Sequence, residues 1–333
     1  MNDLADGLST SPLLYPQKLD IARDQVFLVR MDEAAYRAAS FLDDRILAPA
    51  ARGTWIPWSV VAQAMNPIVT QRPLHFIFHT GHVGSTLLSR LIDETRVTLG
   101  LREPLPLRTL AELSDAQSPQ FDAKLPVLLK LWRRAFLTTR VIVLKATSTG
   151  GRIAPRLLSA NPGSNAIYLN LKPEPYLATL LAGANALVDL RGFEAERARR
   201  VQAAVGEMAQ PTSIGELAAM TWLAESLAQQ AALKAHPGRV LAVDFDALLS
   251  KLGHTMNAVL DHLAIPYPPG FAAAVSQSPV LTRYSKAPEY AYSVTLRQQL
   301  LIQARAQHAP EIRKGLAWLD AIAKRNTGVA ELL

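Results

Sequence analysis

The chain has 333 residues, 49% of them hydrophobic, no cysteine and a formal charge of +7. That length suits one large domain or two modest ones, and the hydrophobic share is that of a packed protein, not a disordered one. Without cysteine, disulfides, thiolate metal sites, iron–sulfur clusters and cysteine nucleophiles are excluded; the lack also suits a reducing cytoplasm. The basic residues are spread along the chain with no dense Lys/Arg block. Such a balance favours a small phosphorylated or sulfated ligand over nucleic acid.

The opening MNDLADGLSTSPLL carries Asp3 and Asp6 where a secretion leader carries Lys or Arg. No long apolar core follows, so no leader is expected. No apolar stretch approaches the roughly 20 residues that span a bilayer, so no membrane association is expected either. The expectation is a cytoplasmic protein. Residues 1–72 read as an accessory segment: DQVFLVRM (24–31) is strand-like, DEAAYRAASFLDDRIL (32–47) has helical spacing with Asp32 as N-cap, and WIPWSVVAQAM (55–65) sets two tryptophans beside an apolar run. Burial of those tryptophans against the main body is the better reading than a recognition surface.

From Leu74 a different pattern begins. LHFIFH (74–79), VTLGL (97–101), RVIVLKA (140–146), AIYLNL (166–171) and RVLAVDF (239–245) are short, aliphatic and poor in polar alternation. Strands buried on both faces of a parallel sheet read this way. Helical patterns lie between them at 85–94, 151–160 and 213–235, and the Ala-rich stretch 201–235 is a good helix former throughout. The alternation predicts a doubly wound α/β sheet flanked by helices, a P-loop NTPase-like arrangement. The predicted boundaries are 1–72, a core at 73–283 and a helical extension at 284–333 packed on it.

The sharpest local signal is FIFHTGHVGSTLLSRL (76–91), an apolar run that ends in a loop and restarts as a helix. Gly81, His82, Val83, Gly84, Ser85 and Thr86 would set backbone N–H groups around one point at a helix N-terminus, which attracts anions. Gly81 and Gly84 would let the backbone approach closely, and Ser85 and Thr86 add hydroxyls. The alternative is an ordinary turn capped by Ser85. A Walker A loop needs a lysine before the hydroxyl residue and wider glycine spacing, and neither is present.

The run His82-Val83-Gly84-Ser85-Thr86-Leu87-Leu88 instead resembles the loop of the sulfotransferases, which binds the phosphosulfate of 3′-phosphoadenosine 5′-phosphosulfate (PAPS). GLREPLP (100–106) resembles the family's Glu–Pro element, and the resemblance makes Glu103 the catalytic base. VIVLKATS (141–148) resembles the strand ending in Lys145, and AIYLNLKPEPYLATLLAG (166–183) resembles the 3′-phosphate segment. VLAVDFDALLSKL (240–252) with LDHLAIPYP (260–268) resembles the late strand and acidic turn, so the likeness covers roughly 73–290. It implies PAPS as co-substrate and 3′,5′-ADP as product, a small-molecule or peptide acceptor, and no metal. Three departures stand out: His82 where Lys or Arg is usual, Leu171 where Arg is usual, and Thr147 where some members carry a histidine.

Read chemically, sulfuryl transfer needs an anion cradle, a cation near the bridging oxygen and a base for the acceptor. His82, Lys145 and Glu103 are candidates for the last two roles, all at strand C-terminal ends. Against them stand a snorkelling Lys145 and a Glu103 that merely shapes an extended turn before Pro104. The resemblance implies that Lys172 and Thr179 hold the 3′-phosphate, with Arg283 and Lys286 of RYSK (283–286) beside it; the alternative for RYSK is a solvated basic turn. Thr149-Gly150-Gly151-Arg152 is a candidate second anion site. His75, His79 and His82 lack a neighbouring carboxylate and read as core or edge histidines before metal ligands. Asp246 of the D-x-D at 244–246 reads better as a helix N-cap than as a Mg²⁺ ligand. Two other functions fit the same fold: a kinase-like phosphotransferase taking ATP or GTP, and a non-catalytic nucleotide- or peptide-binding protein.

Overall fold

A computed structural model describes residues 7–8, 11–47, 53–69, 72–183 and 186–333. Most of the opening stretch read against a leader, residues 1–6 and 9–10, lies outside the described residues. The first elements are β1 (Leu14–Asp20), β2 (Gln25–Arg30), α1 (Glu33–Ala38), β3 (Gly53–Pro57) and α2 (Trp58–Met65). The three strands form an antiparallel sheet in the order β1-β2-β3. Asp32 caps α1, its side chain accepting the Ala35 N–H at 2.8 Å. The helical spacing expected through residue 47 stops after Ala38; Asp44–Ile46 form only a 3₁₀ turn, with Asp43 as its cap. Trp58 is buried, whereas Trp55 is exposed and lies against Phe27 with ring centroids 5.1 Å apart.

The main body runs β4 (Leu74–His79), α3 (Ser85–Asp93), β5 (Thr98–Arg102), α4 (Leu105–Asp115), α5 (Gln120–Trp132), β6 (Val141–Lys145), α6 (Ala154–Ala160), β7 (Ala166–Asn170), α7 (Pro173–Leu181), α8 (Ala186–Gly192), α9 (Glu194–Val205), α10 (Ile214–Ala235) and β8 (Val240–Asp244). All five expected strands form, parallel, in the order β5-β6-β4-β7-β8. Every residue of β4, β5 and β6 is buried, as their unbroken aliphatic runs require. Alternation then sorts the side chains. Phe76, Phe78, Ile142, Leu144 and Tyr168 join the cluster that holds the N-terminal sheet; Ile77, Val143, Ile167 and Leu169 join the opposite cluster with α3, α7 and α10.

Prolines 104, 106, 119 and 126 hide the helical period of α4 and α5, which sequence reading did not assign. The helix expected at 151 begins later, after a 3₁₀ turn over Ser148–Ile153. The Ala-rich 201–235 is not continuous: Gly206, at φ 81°, ends α9, and Ser213 with Glu216 forms a capping box that opens α10.

After β8 come α11 (Phe245–Ser250), α12 (Leu252–His262), α13 (Phe271–Val275), α14 (Val294–Gln307), α15 (Ala309–Ala323) and α16 (Thr327–Ala330). α14 packs on α7 and α15 on α10. The α10–α15 crossing depends on glycine: a Cβ on Gly215 would lie 1.9 Å from the Glu311 carbonyl oxygen, and one on Gly315 2.4 Å from the Gly215 oxygen. Among the described residues, no helix is long and apolar enough to cross a membrane.

Candidate functional site

The loop between β4 and α3 is built from left-handed backbone. Gly81, His82 and Gly84 have φ of 94°, 55° and 69°. Such a run turns successive N–H groups toward a common concavity, and α3 adds its N-terminal dipole. The helix N-cap is Gly84, not Ser85, which is already the first helical residue. Gly84 is needed twice over, because a Cβ there would lie 2.0 Å from Phe245 Cε2. Val83 is fully buried, so only its backbone is available to a ligand. Thr86 lines the adjacent cavity, is 1% exposed, and its hydroxyl has no hydrogen-bond partner. Amide-lined concavity and orphaned hydroxyl fit an anion.

His79 locks the loop to the sheet. The Gly81 N–H donates to its Nδ1 at 3.0 Å, and its Nε2 lies 2.9 Å from the Ala146 carbonyl oxygen. Those partners assign a neutral ring protonated at Nε2. Burial first, then Lys145 and Lys286, hold its pKa well below the ordinary imidazole value. The His75 Nδ1 accepts the Asn165 N–H at 2.9 Å. Both are structural histidines, and among the described residues no three His, Asp or Glu side chains gather where they could hold a metal ion.

Parallel register brings three strand ends side by side, with β6 between β5 and β4. Lys145, the last residue of β6, does not snorkel: it is fully buried and ion-paired with Glu103. Burial pushes its pKa down to about 8; Glu103 opposes that shift and Lys286 adds to it. Glu103 does not sit in an extended turn, as its place before Pro104 predicts. Its φ is 54°, and its N–H donates to the Lys145 carbonyl at 2.6 Å. A non-glycine residue held in this region costs about 1–3 kcal/mol, a strain that clusters at working sites. His82 is exposed at the cavity mouth. Its pKa is nevertheless lowered, by desolvation first and by the Lys286 ammonium second, which leaves the ring neutral at pH 7.

The loop from His79 to Thr86 carries no Lys or Arg, and Lys286 brings positive charge beside it. This lysine lines the same cavity as His82, Gly84 and Thr86. The residue before it is anchored: Arg90, on α3, donates from Nε to the Ser285 carbonyl at 3.1 Å and from Nη2 to Ser40 Oγ at 2.7 Å. A bridge between Arg283 and Ala291 closes the segment.

The cavity, about 730 Å³, lies between the loop, α7, α11 and α14. Thr179 lines it, although its hydroxyl donates to the Pro175 carbonyl at 2.7 Å. Lys172 and Arg283 are exposed and outside the lining, and the buried Lys145 and half-buried Glu103 lie outside it as well. Leu171 is buried, and its carbonyl accepts the Trp222 indole N–H at 2.8 Å. Arg152, in the candidate second anion site, pairs with Asp115 at 2.8 Å and Glu196 at 3.1 Å. The α11 cap is Asp244, which accepts the Ala247 N–H at 2.8 Å; Asp246 pairs with Arg297 at 2.7 Å. Phe245, Tyr292 and Arg297 line the cavity but escaped sequence reading. Arg297 sits in the helical run VTLRQQLLIQARAQ, where nothing in the pattern sets it apart.

No family model and no curated protein matches the chain. Among solved structures it is similar to a sulfotransferase domain from the curacin biosynthetic pathway, at 14% identity and TM-score 0.40 over 72% of this chain and 99% of that one. It is similar to sulfotransferase STF9 from Mycobacterium avium, at 13% identity and TM-score 0.38 over 74% and 79% of the two chains. It is also similar to a sulfotransferase from Alicyclobacillus acidocaldarius, at 13% identity and TM-score 0.39 over 78% and 98%. Likeness this distant carries no argument about chemistry, which rests on the side chains and backbone of the site.

Proposed function

We propose that the chain transfers a sulfuryl group from PAPS to a hydroxyl or amine acceptor in the cytoplasm. The observation that carries the reading is the left-handed, amide-lined loop over 81–84 opening on the same strand ends as the buried Lys145–Glu103 pair. PAPS would supply the sulfuryl group and a phosphate leaving group.

The residues would divide the work as follows. Backbone amides of 81–86, with the Ser85 and Thr86 hydroxyls, hold the phosphate next to the bridging oxygen. Lys286, which lines the cavity, and Lys145, buried outside its lining, stabilise charge that develops there in a site of low dielectric. His82, neutral and at the mouth, donates a hydrogen bond to the same oxygen. Glu103 keeps Oε1 on Lys145, while its Oε2 takes no hydrogen bond among the described residues and accepts the acceptor's proton. One acceptor–sulfur bond forms as the sulfur–bridging-oxygen bond breaks. The acceptor is a small molecule or a peptide.

Calorimetry with 3′,5′-ADP, followed by transfer of radiolabelled sulfate from PAPS to a panel of acceptors, tests the reading. Saturable binding and a labelled product are expected. Absence of 3′,5′-ADP binding overturns it. Mg²⁺-dependent binding of ATP or GTP in its place would mark a phosphotransferase, and nucleotide binding without turnover a non-catalytic protein.

A further inference from the structure

The cavity has a second polar end. Arg297 and Tyr292 line it together with Thr86 and Lys286. The Arg297 side chain is 14% exposed; one arm holds Asp246 at 2.7 Å, and its Nη2 is buried with no partner. The Tyr292 hydroxyl is likewise buried and unpartnered. Buried donors are nearly always satisfied in a folded protein, so two orphans in one cavity wall mark where a ligand's acceptor atoms belong.

Phe245 links the two ends. Its ring packs on the loop at Gly84, and the Arg297 guanidinium lies 4.8 Å from its centroid. Lys286 acts on His79, His82 and Lys145 and so serves the loop end. Arg297 is the other Lys or Arg in the lining. The turn after β7 brings no cation to that end: Leu171 is buried, and exposed Lys172 lies outside the lining.

We infer that Arg297, with the Tyr292 hydroxyl, binds a second phosphate of the ligand, across Phe245 from the loop. Resting on the reading above, this assigns to α14 the 3′-phosphate of the nucleotide. The guanidinium fork suits this role, because Asp246 orients one arm and leaves the other for a phosphate oxygen. Selectivity for a 3′-phosphorylated nucleotide therefore comes from the C-terminal helices and not from the strand end.

The test is calorimetry of the full chain with 3′,5′-ADP and with 5′-AMP, which differ only in that phosphate. Wild type is expected to prefer 3′,5′-ADP. Arg297→Ala should weaken 3′,5′-ADP by about tenfold to a hundredfold, the range of a lost charge-assisted hydrogen bond, and leave 5′-AMP within about twofold. Arg297→Lys, which keeps the charge, and Tyr292→Phe, which removes one hydroxyl, should fall between, and they retain the test should the alanine variant not fold. Equal weakening of both nucleotides, or an unchanged preference in all three variants, overturns the assignment and leaves the sulfonucleotide reading standing. Failure of wild type to bind either nucleotide overturns both.

Discussion

The β4–α3 loop and the turn after β7 follow adjacent strands of one sheet, yet they relate to the cavity in different ways. The loop keeps its left-handed geometry within a single short segment, from His79 to Thr86. The turn after β7 has no cation in the cavity: Leu171 is buried and Lys172 lies outside the lining. What it lacks is available from α14, more than a hundred residues later, as Arg297. A backbone cradle needs a local run of special dihedrals and must be encoded locally. A side-chain cation needs only to arrive at the right place, and any element packed on the cavity can bring it.

That contrast can be broken at the loop with the largest effect. Gly84→Ala sets a Cβ into Phe245 and forces an L-residue to φ 69°. We expect loss of 3′,5′-ADP binding and destabilisation of about 3 kcal/mol, read by urea unfolding. Wild-type stability and affinity in this variant would show that the loop is not held as described. Next in size are the strand ends: Glu103→Gln should lower sulfate transfer by about 10²–10⁴-fold while 3′,5′-ADP binding stays within a few-fold. Equal transfer by the variant would remove Glu103 from the chemistry.

A smaller effect comes from pH. With its folded pKa near 8, below the ordinary lysine value of about 10.4, Lys145 loses its charge as pH rises through 8. Affinity for 3′,5′-ADP should therefore fall above about pH 8; a flat profile to pH 9.5 would contradict the placement of Lys145 near the anion. The same shift has a stability sign. Between about pH 8 and 10.4 the unfolded chain holds this proton and the folded chain does not, so stability rises with pH through that window on account of Lys145. Smallest of all is the exposed pair Arg305–Glu174, which joins α14 to α7 at 2.6 Å with side chains 44% and 38% exposed. Arg305→Ala should cost no more than about 1 kcal/mol. A larger loss on thermal unfolding would mean that this surface pair, and not the buried contacts, holds α14 over the cavity.

All five parallel strands were legible because burial on both faces demands unbroken aliphatic runs, and the loop because left-handed backbone favours glycine. The antiparallel sheet was half legible. β2 reads as a strand, but β1 contains Pro16 and β3 is led by Gly53, both poor strand signals. α4 and α5 were hidden by prolines that the helices tolerate near their first turns and, at Pro126, inside. Asp244 and Asp246 show the same limit at the scale of one turn. Both suit an N-cap, and only the chain's path decided that Asp244 caps and Asp246 meets Arg297.

The sequence by itself determined the parallel sheet, its buried strands and the glycine-bearing turn between β4 and α3, since each depends on side-chain periodicity or backbone freedom within a few residues. Only the tertiary structure decided that Lys145 is buried against Glu103, that His79 is a neutral strut of the loop, and that Lys286 and Arg297 stand in one cavity. These depend on strand register and on helices packed from distant segments, and the charge of a lysine or arginine carries no record in the sequence of the anion it will meet.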